Sequence, residues 1–357
     1  MKSIDIIRDR LINQQIAESK FKKPQEIVTW MVAMQAQEYA MAKWAIGLRL
    51  KEANDAGVEE AFNNGSILRT HLMRPTWHFV SPKDIRWLLT LTAPRVNKAS
   101  AFMYRQCELD IKIFNRSNDV LAKALEGSKY LTRNALKAAL EKAKIPAVGF
   151  RLGYLLMRAE LDGIICSGPR EGKQFTYALF DERVPPSKYV NREEGLVELS
   201  RRYFQSRGPA TVQDFVSWSG LTVKDAREGV ANLGARFEYE IIDGREYIFI
   251  PTKTKRRKSE FQTTFLMPDY DEYGMSYKDR SAIFNPESTN AISRGNPVFN
   301  RMIIIDGRIE GTWRRIEKGK RVIIETLLFG QLKQSKHRAV IKAAKRYSIF
   351  IDKVLTK

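Results

Sequence analysis

The chain has 357 residues, 43% hydrophobic and 10% aromatic, enough for the cores of two or three domains and too many for global disorder. Its 61 Lys and Arg against 41 Asp and Glu leave +20, a balance that favours a polyanion: nucleic acid first, an anionic membrane surface second. Two cysteines, Cys107 and Cys166, and three histidines, His71, His78 and His337, make neither a disulfide framework nor a metal-ligand pattern, so no metal and no cofactor are expected.

The N-terminus is charged from Asp5 onward and lacks the apolar core of a secretory signal. No apolar stretch approaches the roughly 20 residues of a membrane span, so the expectation is a cytosolic protein with no membrane partner. The first informative run extends from Ile27 to Leu50, apolar and helix-like, and contains Gln35-Ala36-Gln37. Residues i and i+2 of a helix do not face each other, so joint use of both amides requires a break between two helices. One long helix with both glutamines on its polar side is the competing reading. Next comes Leu68-Arg69-Thr70-His71-Leu72-Met73-Arg74-Pro75-Thr76-Trp77-His78, whose residues 76–80 read as a strand.

Residues 119–180 offer a helical segment (119–126), a helix entered through Leu131-Thr132, and another from Phe150 to Leu161. Two short strands follow, around a Gly/Pro turn near Gly168-Pro169. Residues 194–250 repeat that order. A helix covers 195–206, a second starts after Gly208-Pro209-Ala210-Thr211 with Thr211 as N-cap and Asp214 at N3, and Gly220 closes it. A third covers 222–233, and a hairpin turns at Asp243-Gly244. The basic run Lys253-Thr254-Lys255-Arg256-Arg257-Lys258 is a solvated linker or a phosphate contact. Strands are expected at 265–268, 302–305, 311–315 and 321–328, with Asp306-Gly307 as a turn, then a basic helix over 336–347. From Arg301 to Lys357 there are 15 Lys and Arg against 5 Asp and Glu, half the excess in the last sixth of the chain.

Three helices followed by a β-hairpin form a winged helix, whose last helix can enter a major groove. The fold class expected is therefore α+β. Winged-helix modules are expected in tandem, followed by an antiparallel β subdomain capped by the basic helix. The divisions are 1–115, a looser winged-helix-like module holding Gln-x-Gln; 116–190 and 191–251, two winged helices; and 252–357, a β-rich part with the basic helix. Winged helices also serve as protein scaffolds and regulators, so a non-catalytic DNA-binding protein or transcriptional regulator is the alternative.

Three separated segments carry a resemblance. They are Gln35-Ala36-Gln37, the Leu68–His78 segment, and Asp269-Tyr270-Asp271-Glu272-Tyr273-Gly274-Met275-Ser276-Tyr277-Lys278-Asp279-Arg280 with Asp306-Gly307-Arg308 and Gly311-Thr312-Trp313-Arg314-Arg315. In this order they resemble the winged-helix DNA glycosylases of the AlkZ-like superfamily, over nearly the whole chain. The resemblance implies tandem winged-helix modules around a concave DNA channel with a C-terminal antiparallel β-barrel-like subdomain, excision of alkylated purines, in some members the unhooking of interstrand crosslinks, and a catalytic Gln-Φ-Gln or Gln-Φ-Asp motif. Gln35 and Gln37 match the first branch and are the expected catalytic pair. It implies as partner double-stranded DNA carrying alkylated bases, with no obligate protein partner and a monomeric, monofunctional enzyme of base excision repair.

The chemistry agrees with that substrate class. A purine alkylated at N7 or N3 is cationic and leaves as a neutral molecule, so the enzyme must stabilise an oxocarbenium-like sugar and position water. Amide oxygens can do both, but a carboxamide is no general base near neutral pH. Other residues have two open readings. Arg69, His71, Arg74 and His78 are the polar edge of a core element, or contact phosphate or lesion. Asp269, Asp271, Tyr273 and Arg280 are an internal ion-pair cluster or part of the DNA site. Trp313 with Arg314 and Arg315 is a core indole or a DNA-facing hairpin tip. The remaining tryptophans, Trp30, Trp44, Trp77, Trp87 and Trp218, are expected in the core.

Overall fold

Asp5 caps the first helix, α1 (Ile6–Asn13), by accepting the Arg8 backbone N–H at 3.0 Å. The computed structural model describes residues 5–187, 190–251, 263–284 and 300–356; the basic run at 253–258 lies outside them. The apolar stretch at 27–50 is not one helix. It divides into α2 (Pro24–Met31), strand β1 (Ala33–Gln35) and α3 (Tyr39–Leu48). Val32 carries the break at φ +64°, a region that β-branched residues avoid at a cost of about 1–3 kcal/mol. Compensation comes from far along the chain: the fully buried Arg207 donates to the carbonyls of Met31 and Ala33, each at 2.9 Å. After α4 (Asp55–Asn63), β2 (Leu68–His71) and β3 (Trp77–Val80) complete a small sheet in the order β1-β3-β2. Its antiparallel register sets His78 opposite both Gln35 and Thr70.

The long helix α5 (Ile85–Gln106) leads into the second group: α6 (Ile111–Leu125), β4 (Leu131–Thr132), α7 (Arg133–Lys142), α8 (Phe150–Leu161), β5 (Ile165–Glu171), β6 (Gln174–Leu179) and the short α9 (Phe180–Arg183). The order β4-β6-β5 is that of a winged helix. The hairpin turns at Gly172-Lys173, four residues beyond the Gly168-Pro169 expected from sequence; that pair instead forms a bulge inside β5, where the register shifts between Ser167 and Arg170. Helix α6 also starts eight residues earlier than expected, capped by Asp110.

The third group matches its expected elements closely. Helix α10 (Arg192–Arg207) precedes α11 (Val212–Ser219), which opens on the Thr211–Asp214 capping box and closes on Gly220 at φ +72°. Then α12 (Val223–Ala231) and the hairpin β7 (Glu238–Ile242) with β8 (Arg245–Phe249) follow, turning through Asp243 and Gly244, both at positive φ.

The last part is a five-stranded sheet in the order β13-β12-β11-β10-β9. It comprises β9 (Thr264–Leu266), a one-turn helix α13 (Glu272–Met275), β10 (Met302–Ile305), β11 (Arg308–Lys318), β12 (Arg321–Leu328), the basic α14 (Gln334–Phe350) and β13 (Val354–Thr356). Four strands are antiparallel; β13 returns after α14 and joins β12 in parallel. This sheet shares one hydrophobic core with α2–α4: Trp44 donates to the Leu266 carbonyl at 2.8 Å and packs on Tyr347 and Phe350. The chain thus folds back so that its C-terminal sheet supports the segment bearing the glutamines. No helix among the described residues is long and apolar enough to cross a membrane.

Candidate active site

Strand β1 presents Gln35 and ends there; Ala36 is buried and Gln37 is exposed on the bend that enters α3. The break removes the helical spacing that would set the two residues on different faces. Three polar tethers hold this segment. The Gln35 backbone N–H donates to Glu272 Oε1 at 2.9 Å, the Ala36 N–H to the Trp77 carbonyl at 2.7 Å, and Arg69 Nε to the Ala36 carbonyl at 3.0 Å. The Gln35 carboxamide oxygen accepts from Arg74 Nη2 at 3.1 Å. Gln37 makes no hydrogen bond among the described residues and faces solvent.

Glu272 is the residue behind the motif that sequence reading did not single out. Fully buried at the start of α13, its second oxygen accepts from Arg207 (2.8 Å), Ser276 Oγ (2.8 Å) and Trp218 Nε1 (3.0 Å). Burial alone would raise its pKa. The charge and hydrogen bond of Arg207, the Gln35 N–H and the charge of Arg74 outweigh it and bring the carboxyl down to about 2. It is an ionised anchor whose oxygens are already occupied. Arg207, missed likewise, lies over the Trp218 ring at 4.2 Å and links α10 to β1 and α13. Nothing local in the sequence marks either residue; only a charge set among apolar neighbours hints at a buried pair.

The structure separates the other expected site residues. Arg74 joins the glutamines, and burial with nearby Arg207 and Arg280 holds its pKa down despite Glu272. Arg69 is buried, its guanidinium over the Trp77 ring, and burial lowers its pKa to about 10. His71 is buried against Glu160, whose Oε2 also accepts the His71 backbone N–H at 3.2 Å. His78 is fully buried, and burial pushes it down to about 3, so it is neutral. Its Nδ1–H donates to the Thr76 carbonyl at 2.9 Å, and Nε2 has no partner among the described residues.

Burial encloses Tyr273, Trp313 and His78, as it does Arg69 and His71. Tyr273 is fully enclosed, its hydroxyl donating to the Gly307 carbonyl at 2.7 Å. Trp313 sits in the middle of β11 rather than at a tip, its indole N–H on the Met267 carbonyl at 2.8 Å and its ring against Tyr347. His78 likewise presents no surface to a duplex. The tip of that hairpin lies between Lys318 and Arg321. Of its neighbours, Arg314 is exposed and pairs with Glu325, while Arg315 meets Glu317 at 2.9 Å and the Tyr347 hydroxyl. Asp271 grips Arg49 through two bonds of 2.8 Å, Asp269 pairs with Arg301, and Arg280 donates to the Gly274 carbonyl. Both aspartates thus form ion pairs, with arginines outside the segment and not with Arg280.

The two-amide motif thus sits on a break between two helices, anchored by a buried ion pair inside an α+β array of winged helices and a curled sheet. The fold matches the solved Streptomyces sahachiroi DNA glycosylase AlkZ with a TM-score of 0.78 over all of both chains, at 19% identity. A curated relative, the interstrand DNA cross-link repair glycosylase of Streptomyces sahachiroi, is 24% identical over 82% of each chain. The family model for AlkZ-like DNA glycosylases matches residues 28–350, and the chain belongs to that family. It is a DNA glycosylase, and DNA is its substrate.

Proposed function

We propose that the protein hydrolyses the N-glycosidic bond of cationic purines alkylated at N7 or N3, using Gln37 and Gln35 to position water and stabilise the sugar cation. The observation that carries this reading is the state of Glu272. Among the described residues the carboxylate in contact with the motif is saturated by four donors and held near pKa 2, too acidic and too enclosed to serve as a general base. What remains for chemistry is two amides. Such a site suits a leaving group that needs no protonation.

The carbonyl oxygen of Gln37 is free to accept from a water approaching C1′, with the dipole's negative end toward developing positive charge. Gln35, with one lone pair engaged by Arg74, retains another for the same water or for the sugar. The C1′–N bond breaks, the base departs neutral, and the water adds to C1′ while its proton passes to solvent. The relative's name includes crosslink repair, and a crosslink formed through N7 attachments presents the same cationic leaving group; we extend the proposal to unhooking of such crosslinks. The exposed Arg314 and the basic C-terminal part are proposed to meet the phosphates.

The test is incubation with a duplex containing N7-methylguanine, scored for abasic sites. Wild-type protein should release the base, and Gln37→Ala should do so about 10²–10³ times more slowly, less for a lesion that departs readily alone. No release by wild-type protein, or equal release by both, overturns the reading.

A further inference from the structure

Arg69 lies in a cluster of rings and guanidinium groups that joins the first sheet to the second module's hairpin. Its Cζ is 4.3 Å from the Trp77 ring centroid and 4.6 Å from that of Phe175, on β6. Arg170, on β5, joins the cluster at 4.3 Å from Phe175 and 5.0 Å from Tyr39, which opens α3 two residues after Gln37 and meets Phe175 edge-on. A planar guanidinium packed on two rings is attracted to both and cannot rotate freely. Its Nε–H therefore has a fixed direction, and that direction is toward the Ala36 carbonyl at 3.0 Å.

The Ala36 carbonyl shares a rigid plane with the Gln37 nitrogen and Cα. Fixing that oxygen, with the Ala36 N–H already bound to Trp77, fixes the plane and so places the Gln37 Cα from which the side chain departs. The sequence offers no hint of it, since Phe175 is 138 residues from Gln37. Arg69 is also buried, so a phosphate does not compete for it.

We propose that Arg69, packed on Trp77 and Phe175, is a positioning residue for excision: it sets where the Gln37 backbone sits, and with it the origin of the carboxamide, and does not itself bind DNA. This rests on the catalytic reading of Gln37 given above. The consequence is that a ring on the second module's hairpin controls the rate at a motif on the first.

Single-turnover excision of N7-methylguanine is measured for wild type, Arg69→Lys, Phe175→Leu, Gln37→Ala and each of the first two combined with Gln37→Ala. Affinity for undamaged duplex is measured alongside, at fixed salt. Arg69→Lys keeps the charge but loses the plane, and Phe175→Leu removes one of the two rings. Each should slow excision about 10- to 100-fold, the cost of a displacement near 1 Å. Each should leave affinity within about twofold, and neither should slow excision further in the Gln37→Ala background. Wild-type rates for both single variants, losses that multiply with that of Gln37→Ala, or losses that appear as weaker binding would overturn the proposal. Should Arg69→Lys fail to fold, the Phe175→Leu cycle decides alone. A slow Gln37→Ala beside unimpaired Arg69→Lys defeats only this inference, whereas a Gln37→Ala at the wild-type rate defeats the catalytic reading beneath it.

Discussion

Glu272 Oε1 accepts the backbone N–H of Gln35 at 2.9 Å across 237 residues of sequence. The contact ties the strand that bears the motif to the C-terminal part of the chain. It explains why a strand persists between two helices at all: the N–H that a continuous helix would use is taken by a buried carboxylate, and Arg207 takes the neighbouring carbonyls.

Replacing Glu272 by Gln keeps the shape and removes the charge. Arg207 would be left as a buried cation without its counterion, and the new amide N–H₂ would face a donor on whichever side it turned. Breaking a buried pair in this way costs about 3–5 kcal/mol. Urea denaturation should show that loss, and excision should fall with it; a change under about 1 kcal/mol would mean that the pair does not hold the site.

Acid should unfold the protein in two stages, both of one sign. Burial depresses His78 from 6.5 to about 3, so the unfolded chain binds more protons there, and the stability His78 contributes is present above pH 6.5 and lost as pH falls toward 3. Glu272, lowered from 4.5 to about 2, adds a second loss between those values. Each group adds a slope of at most about 1.4 kcal/mol per pH unit. Melting temperature against pH for His78→Phe should lose the upper limb and keep the lower one. An unchanged upper limb would assign it to other groups.

Much of the outer architecture was legible because local chemistry specifies it. Thr211 with Asp214, Gly220, and Asp243-Gly244 each fix a boundary through a cap or a positive φ, and the structure keeps all of them. The helix Phe150–Leu161 and the strands 302–305 and 321–328 fell where periodicity set them. The glutamines were legible as a motif but their setting was not. Val32 adopts a conformation against its own preference, and the residues that impose it, Arg207 and Glu272, lie 175 and 240 positions away. The Gly168-Pro169 turn misled for a related reason: a bulge uses the same residues as a turn. Trp313 beside two arginines looked like a DNA-facing tip, yet strand alternation turns the indole inward and Arg314 outward.

Association with undamaged DNA should be electrostatic and weakly sequence-specific. Exposed cations cluster at the β11–β12 tip, where Lys318 and Arg321 flank the turn and Lys320 lies in it, and along α14. Log K against log[salt] between about 50 and 200 mM should fall by about 0.9 for each phosphate neutralised. Replacing Lys320 and Arg321 together by Ala should make the slope shallower by up to about 1.8. A wild-type slope near zero would remove the premise of phosphate contact.

Lesion choice should follow leaving-group charge. With amides at the site and its carboxylate saturated, N7- and N3-alkylpurines should be released while uracil and 1,N6-ethenoadenine are not. Single-turnover rates on matched duplexes check it. Efficient uracil release would require an acid or base that the arrangement around Gln35 and Gln37 does not supply.

The two glutamines should fail differently. Gln37 is exposed and makes no hydrogen bond among the described residues, so Gln37→Ala should slow excision with stability unchanged. Gln35 is buried and its oxygen is the acceptor for Arg74 Nη2, so Gln35→Ala leaves that donor without its partner beside Glu272 and Arg207. An orphaned, charged donor costs about 1–3 kcal/mol, and Gln35→Ala should lose both rate and stability by that amount. Combining it with Arg74→Ala removes donor and acceptor together and should recover part of the stability but none of the rate. Gln37→Asp sharpens the contrast, because its carboxylate is placed at the solvent-facing position and can hold the same water with a full charge. Melting curves and single-turnover rates on one lesion decide between these outcomes. Equal stability losses for Gln35→Ala and Gln37→Ala would mean that the exposed amide has a structural role that the geometry does not show.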